Sequence, residues 1–372
     1  MEFHRSDPHT IGMELELQLL DSQTLDLVDS ILPLIEFYPD SELVKPEFIQ
    51  NTVEVASKVC KELEELETSM IETIRGLKKQ CVNLGMTLCG AGSHPFCEKL
   101  ALITPLPRYQ VMEKTAGYLG HNQITYATHV HIGMRTGNEA IMLMHKLKAF
   151  LPLLIALSAN SPYWRGYDTG YAAYRHRILA AARSFGIPPS FKNWGEFEVF
   201  LKGAMHAGIF QSVNDIHWDI RPRPVLGTLE IRVMDAQSKV KDAVAIACFI
   251  RSLVSYFRHP GNGDHVEAFP RPLPWWIEKE NHYQASRQGL NASLVIDETG
   301  RSTKMRNVLL NVCDVLRPIA VAKGEACYFD HLLSIVDKGP GYVIQKDYRK
   351  QGKDFYGIVA ALVARLNDEI NG

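Results

Sequence analysis

Three short segments of this chain alternate charged and aliphatic residues so strictly that each reads as a half-buried β-strand. They are Ile11-Gly12-Met13-Glu14-Leu15-Glu16-Leu17-Gln18-Leu19, Thr125-Tyr126-Ala127-Thr128-His129-Val130-His131-Ile132 and Gly227-Thr228-Leu229-Glu230-Ile231-Arg232-Val233. Side chains at i and i+2 share one face of a strand. Glu14 and Glu16 therefore lie together, as do His129 and His131, and Glu230 and Arg232. A solvated sheet face normally mixes Thr, Lys and Gln. Carboxylate pairs, a His pair and an adjacent Arg instead imply a wet surface that holds divalent cations and something phosphorylated. A further stretch, Thr52-Val53-Glu54-Val55-Ala56, alternates in the same way with Glu54 on the polar face, and Glu47 precedes it.

The chain has 372 residues, 46% hydrophobic and 22% charged, ordinary for a globular protein with an ample core. A net charge of −2 supplies no field for nucleic acid or a membrane surface, so bound phosphate must be met by local arginines and metal. Cys60, Cys81, Cys89, Cys97, Cys248, Cys313 and Cys327 form an odd set with no CxxC pair, and Met1-Glu2-Phe3-His4-Arg5 leads into the first strand without a signal-peptide pattern. We read free thiols and a cytoplasmic protein. The longest apolar run, Ala149 to Ala159, contains Pro152 and follows His145, Lys146 and Lys148, too short and interrupted to span a bilayer.

Between the strands, three- and four-residue apolar spacing predicts helices. They cover Lys61 to Leu84 with Gly85 as C-cap, Arg108 to Thr125, Asn138 to Ala159 with Pro152 kinking or splitting it, Trp194 to Met205, and Asp242 to Phe257. Met86 to Cys89 reads as a strand entering a Gly-rich turn, Gly90-Ala91-Gly92-Ser93-His94-Pro95, from which His94 could point into a site. Asp215 to Arg221 alternates and predicts a hairpin with the Glu230 strand. One domain over 1–372 is expected, with its best internal break at the Pro/Gly-rich loop 259–274 and a mostly helical part at 302–372. The fold class implied is α+β: an antiparallel sheet with helices on one face and an open, acidic polar face.

Carboxylates held together repel one another, and a cation removes that conflict. Carboxylate-rich sites suit Mg²⁺ or Mn²⁺, and Mg²⁺ takes only one or two carboxylates plus substrate phosphates. Four to six acids therefore imply two or three ions and a nucleotide. Arg232 either pairs with one of these acids or stabilises a phosphoryl group in flight, and the two roles are compatible. Because these acids lie on a polar face, Glu230→Ala is expected to spare the fold. His129-Val130-His131 also matches the opening ligand pair of metal-dependent hydrolases, which would require a parallel barrel.

In order along the chain, Gly12-Met13-Glu14-Leu15-Glu16, the acidic stretch Glu47 to Glu54, Gly92-Ser93-His94-Pro95-Phe96, His129-Val130-His131-Ile132-Gly133, Asp215 to Pro222, Thr228 to Asp235 and Asn281-His282-Tyr283-Gln284-Ala285-Ser286-Arg287 resemble the bacterial glutamate–cysteine ligase type 2 family of carboxylate–amine ligases. The resemblance covers nearly the whole chain. It implies a glutamine synthetase-like fold, a curved antiparallel sheet whose concave face holds ATP, metals and substrates while helices cover the convex face. By matching position it implies metal ligands at Glu14, Glu16, Glu54, His131 and Glu230, with Glu47 at the expected spacing. It implies Arg232 on the transferring phosphoryl group and Arg287 near nucleotide or substrate. His129, His94, Arg175 and Asp235 are candidates for contacts with ATP or substrate. Which of His129 and His131 ligates is left open.

The expected reaction is ATP-dependent glutamate–cysteine ligation through a γ-glutamyl phosphate. A metal-dependent hydrolase and a non-catalytic nucleotide-binding relative are the alternatives. Expected partners are amino acids and ATP, with neither nucleic acid nor membrane, and a homodimer is plausible for a chain of this size.

Overall fold

The structure, a computed structural model, describes residues 1–39, 41–259 and 267–371. Strand β1 (Ile11–Asp21) is its axis. Ile11, Met13, Leu15 and Leu17 are buried to 1% exposure or less, while Gly12, Glu14 and Glu16 stay partly open, so the alternation of the sequence is carried directly into the sheet. The other strands are β2 (Val44–Pro46), β3 (Thr52–Ala56), β4 (Met86–Cys89), β5 (Ala127–Gly133), β6 (Ile220–Arg223) and β7 (Thr228–Asp235). They form one open seven-stranded sheet in the order β6-β7-β5-β1-β3-β2, with β4 on β1 beyond the end of β5. Every pairing is antiparallel. A parallel barrel, which a His129/His131 hydrolase would need, is therefore not the architecture.

The apolar face is covered by helices. Helix α1 (Leu63–Asn83) packs on β1, β3 and β4 with Leu66, Met70, Ile74 and Leu77 fully buried. The apolar segment that Pro152 was expected to kink or split is two helices, α2 (Gly137–Lys148) and α3 (Leu151–Ser158), bent by 66°. Pro152 lies in the first turn of α3, where its missing N–H costs nothing. Helix α5 (Val240–Arg258) crosses β5, and α3 lies on β7. The 302–372 part is helical from Met305 to Asn371 with short breaks. No single helix among the described residues is long and apolar enough to cross a membrane. Of the break expected at 259–274, residues 260–266 lie outside the described residues.

Three local departures bear on the site. The helix expected from Arg108 to Thr125 ends at Ala116, because Gly117 adopts φ 55°, and only Tyr118–His121 resumes. Asp215 to Arg221 is not one strand. Asp215 sits in a 3-10 turn (Val213–Asp215) and accepts the Gln211 and Ser212 amides, and pairing with β7 begins only at Ile220. Finally, β7 carries a bulge between Ile231 and Met234. Strict alternation would put Asp235 opposite in phase to Glu230. The extra residue instead pairs Asp235 with Ala127, in phase with His129 and His131.

Candidate active site

The sheet register assembles the polar face in cross-strand rows. Arg221 faces Glu230, Glu230 faces His131, and His131 faces Gly12. His129 faces Glu14. Glu16 faces Glu54, and Glu54 faces Lys45. Directly opposed side chains on one face stand close enough to interact. His129 Nδ1 lies 3.1 Å from Glu14 Oε2 and 3.8 Å from Glu230 Oε1, and His129 Nε2 lies 3.9 Å from Glu16 Oε1. His131 Nε2 is 3.5 Å from Glu14, and its Nδ1 shares a hydrogen bond with Thr228 Oγ1 at 3.0 Å. The rows open into a cleft of about 250 Å³ lined by Glu14, Glu16, Glu47, Glu54, His129 and Arg232, among others.

Glu230 is only 1% exposed and is gripped by arginines. Arg221 Nε donates to Oε2 at 2.8 Å, Arg232 Nη1 donates to Oε1 at 2.7 Å, and Arg223 Nη1 stands 3.5 Å away. Burial opposes the charge, yet Arg221 and Arg232 outweigh it and hold the carboxyl well below its usual range. An acid that neutralises three buried or half-buried guanidiniums holds structure together, so the fold should not be indifferent to Glu230→Ala.

The other half of the cleft has the reverse imbalance. Burial and then the charge of Glu47 push Glu16 up to about 7. Burial, with Glu14 and Glu47, pushes Glu54 well above its usual range. Lys45, the lysine opposite Glu54, is 3.8 Å away and largely solvated. Glu14 is held low because His131 and His129 outweigh its burial. Burial, followed by Arg232, lowers His129 to about 4, so its imidazole is neutral. Among the described residues, Nε2 of His129 and of His131 has no hydrogen-bond partner although both are buried. The neutral imidazole of His129, with an unpartnered Nε2, beside Glu16 and Glu54, which resist ionisation, makes a donor set fitted to a divalent cation. Two ligand groups result, Glu14/His129/Glu230 and Glu16/Glu54/His129, each with candidate atoms within 4.8 Å of one another. His129 belongs to both and His131 to neither.

The remaining candidates are scattered. Arg175, 4% exposed, lines the cleft and donates to the Val233 and Arg232 carbonyls at 3.3 and 3.4 Å. Asp235 is fully buried and accepts from the Asn160 amide at 2.8 Å and the Ser161 hydroxyl at 2.7 Å. His94 turns away from the cleft. Its Nε2 reaches the Leu25 carbonyl and its Nδ1 accepts the Phe96 and Cys97 amides, so the ring ties down the Gly-rich turn. Arg287 is exposed, bonds the Gly170 carbonyl and stacks over Tyr171 at 4.8 Å, away from the acids. Arg221, Arg223, His217 and Tyr109 line the cleft without having been expected there. The hairpin pattern carried a signal for Arg221, since any register placing it across from Glu230 makes an ion pair. Tyr109 carried none, because it arrives from a helix whose position depends on tertiary packing.

The family description "Glutamate-cysteine ligase family 2" matches residues 10–361. The chain belongs to that family. A protein of Trichormus variabilis provisionally named glutamate–cysteine ligase 2 is 44% identical over 370 residues, covering 100% of this chain and 96% of its own. A namesake in Thermobifida fusca is 32% identical, with 98% and 92% covered. Among solved structures, a glutamate–cysteine ligase from Francisella tularensis in complex with AMP superposes with a TM-score of 0.67 at 12% identity, covering 100% of this chain and 94% of that one. A bifunctional glutathione synthetase from Pasteurella multocida gives 0.72 at 13% identity, covering 97% of this chain, which spans only 52% of that protein. These likenesses are of fold, an open antiparallel sheet with helices, as the sequence pattern implied.

Proposed function

We propose that this member of glutamate–cysteine ligase family 2 is an ATP- and Mg²⁺-dependent carboxylate–amine ligase that joins the γ-carboxylate of glutamate to the amine of cysteine. The observation that carries the reading is the confrontation, in one cleft, of crowded acids that resist ionisation with Arg232 at the edge of the acid row. Acids alone would suit a metal store, and arginines alone an anion site. Together they suit a metal–nucleotide substrate whose phosphoryl group is transferred.

Glu16, Glu54 and the free Nε2 of His129 would hold one cation, and the carboxylates of Glu14 and Glu230 would contribute to another, with Glu47 adding negative charge. When bound, the cations neutralise phosphate charge and polarise the phosphoryl oxygens. The side chains of the chain do the rest. Arg232 and Glu230 neutralise each other at 2.7 Å; with substrate and cation in place, Arg232 would turn to phosphoryl oxygen and Glu230 would serve as a metal ligand. Arg232 would then stabilise charge on the phosphoryl group as a glutamate carboxylate oxygen attacks the γ-phosphorus and ADP leaves. The amine next attacks the acyl carbon, phosphate departs with that oxygen, and the amine loses a proton. Arg175 keeps the strand segment bearing Arg232 in place through its two carbonyl contacts.

A phosphate-release screen of amino-acid pairs with ATP and Mg²⁺ tests the reading. Phosphate and ADP should appear only when a carboxylate and an amine substrate are both present, with glutamate and cysteine the most active pair. ATP turnover indifferent to added amino acids would refute ligation. Turnover with glutamate and a different amine would keep the ligase and overturn the cysteine assignment.

A further inference from the structure

A second cluster of ligand-type side chains lies outside the acidic cleft. His176 comes from α4 (Arg175–Leu179), Asp219 from the link between His217–Trp218 and β6, and His282 from α6 (Trp275–Gln288). All are buried, at 5%, 8% and 7% exposure, and one donor atom from each lies within 4.8 Å of the others. His282 Nε2 is 2.7 Å from Asp219 Oδ2, and the His176 and His282 rings meet edge-on with centroids 5.2 Å apart. Among the described residues, Nε2 of His176 has no hydrogen-bond partner, though it is buried. A buried imidazole nitrogen left unpaired beside a His–Asp pair is costly unless something binds there.

We propose that His176, Asp219 and His282 form a binding site for a first-row transition-metal dication of the Zn²⁺ class, separate from the Mg²⁺-type cleft. The donor set decides the class. Two imidazoles and one carboxylate suit Zn²⁺, Fe²⁺ or Co²⁺, whereas Mg²⁺ depends on oxygen ligands and their charge. The surroundings sharpen that choice. Two guanidiniums stand near: Arg175, turned to the Val233 and Arg232 carbonyls, and Arg177, packed 5.4 Å from the Tyr283 ring centroid. Neither takes a ligand atom, but their charge cancels the Coulomb attraction on which a hard cation relies. A metal that bonds imidazole strongly is less dependent on it. Access comes from a cavity of about 580 Å³ lined by the same three residues together with Trp275, Trp276 and Tyr283.

The site would clamp three separate segments. One of them bears directly on catalysis, because the Asp219 carbonyl accepts the Arg232 amide at 2.8 Å at the β7 bulge. Metal held by Asp219 would stiffen the strand that presents Arg232.

The test is zinc retention by the full chain, stripped with a chelator and then dialysed against Zn²⁺ in a large excess of Mg²⁺. Wild type and Glu14→Gln should each retain one zinc per chain by mass spectrometry. His176→Ala and His282→Ala should bind it roughly tenfold or more weakly. Zinc should also raise the wild-type melting temperature and leave that of the His variants unchanged. If the His variants do not fold, Co²⁺-loaded wild type still decides: the intense visible bands of a low-coordinate site are expected, and the weak spectrum of the hydrated ion would overturn the proposal. It would equally be overturned if wild type kept no zinc, if the His variants kept it, or if Glu14→Gln alone lost it.

Discussion

Glu16 shows how one residue couples metal to pH. Its carboxyl moves from the ordinary 4.5 to about 7 in the folded chain, first through burial and then through the charge of Glu47. The folded state therefore binds the proton more tightly than the unfolded state. The contribution of Glu16 to metal-free stability should fall as pH rises from about 4.5 to 7 and flatten above. A cation favours the ionised form, so Mg²⁺ affinity should climb through the same window, with proton release on binding. Calorimetry in buffers of different ionisation enthalpy measures this. Glu16→Gln should remove the falling component between about pH 4.5 and 7, stabilise the metal-free chain at pH 8 by roughly 1–3 kcal/mol and weaken Mg²⁺ binding. A slope unchanged in the variant would place the titrating group elsewhere. Arg232 and Glu230 separate chemistry from stability. Arg232→Ala should lower kcat by roughly 10²–10³ with little effect on Mg²⁺ affinity. Glu230→Ala should destabilise the fold by roughly 3–5 kcal/mol in urea titrations, because Arg221 is left buried with its charge uncompensated. The alternation placed Glu230 on the polar face, but only the hairpin register revealed that three arginines meet there.

Elements were legible wherever one periodicity ran unbroken. The apolar side of β1 and the spacing of Leu66, Met70, Ile74 and Leu77 in α1 each specify a buried face, and the structure places them so. What escaped depends on single residues that interrupt a period. Gly117 ends a helix through positive φ, and one inserted residue at the β7 bulge moves Asp235 to the other face. A bulge has no composition of its own, since it is set by pairing with β5. The Gly-rich turn has a physical role that its motif concealed. A Cβ on Gly92 would come within 2.5 Å of Asp235 Cγ, so the turn is glycine because Asp235 is packed against it. Gly92→Ala should destabilise the chain by roughly 1–3 kcal/mol and disturb the Asp235 contacts to Asn160 and Ser161. Thermal unfolding alongside Gly203→Ala, where nothing lies within 4 Å of the added methyl, checks it.

At the scale of the molecule, one continuous apolar core from Ile11 to Ile370 supports the sheet from one side and leaves the other side for chemistry. That division is why a polar face with so many repelling acids persists: the helices behind it hold the strands whether or not cations are bound. The ordered motifs along the chain already pointed to the family, and the family description spans residues 10–361. The identity of an amine substrate was never legible, because the strand pattern specifies acids, histidines and arginines and says nothing of an amine pocket. The central claim is that a carboxylate is activated as an acyl phosphate on this face. It is tested most directly with glutamate labelled by ¹⁸O in its γ-carboxylate, incubated with ATP, Mg²⁺ and cysteine. The account predicts that one labelled oxygen per turnover appears in the released phosphate, and that Arg232→Ala slows this transfer and product formation together. Product formed with unlabelled phosphate would contradict it.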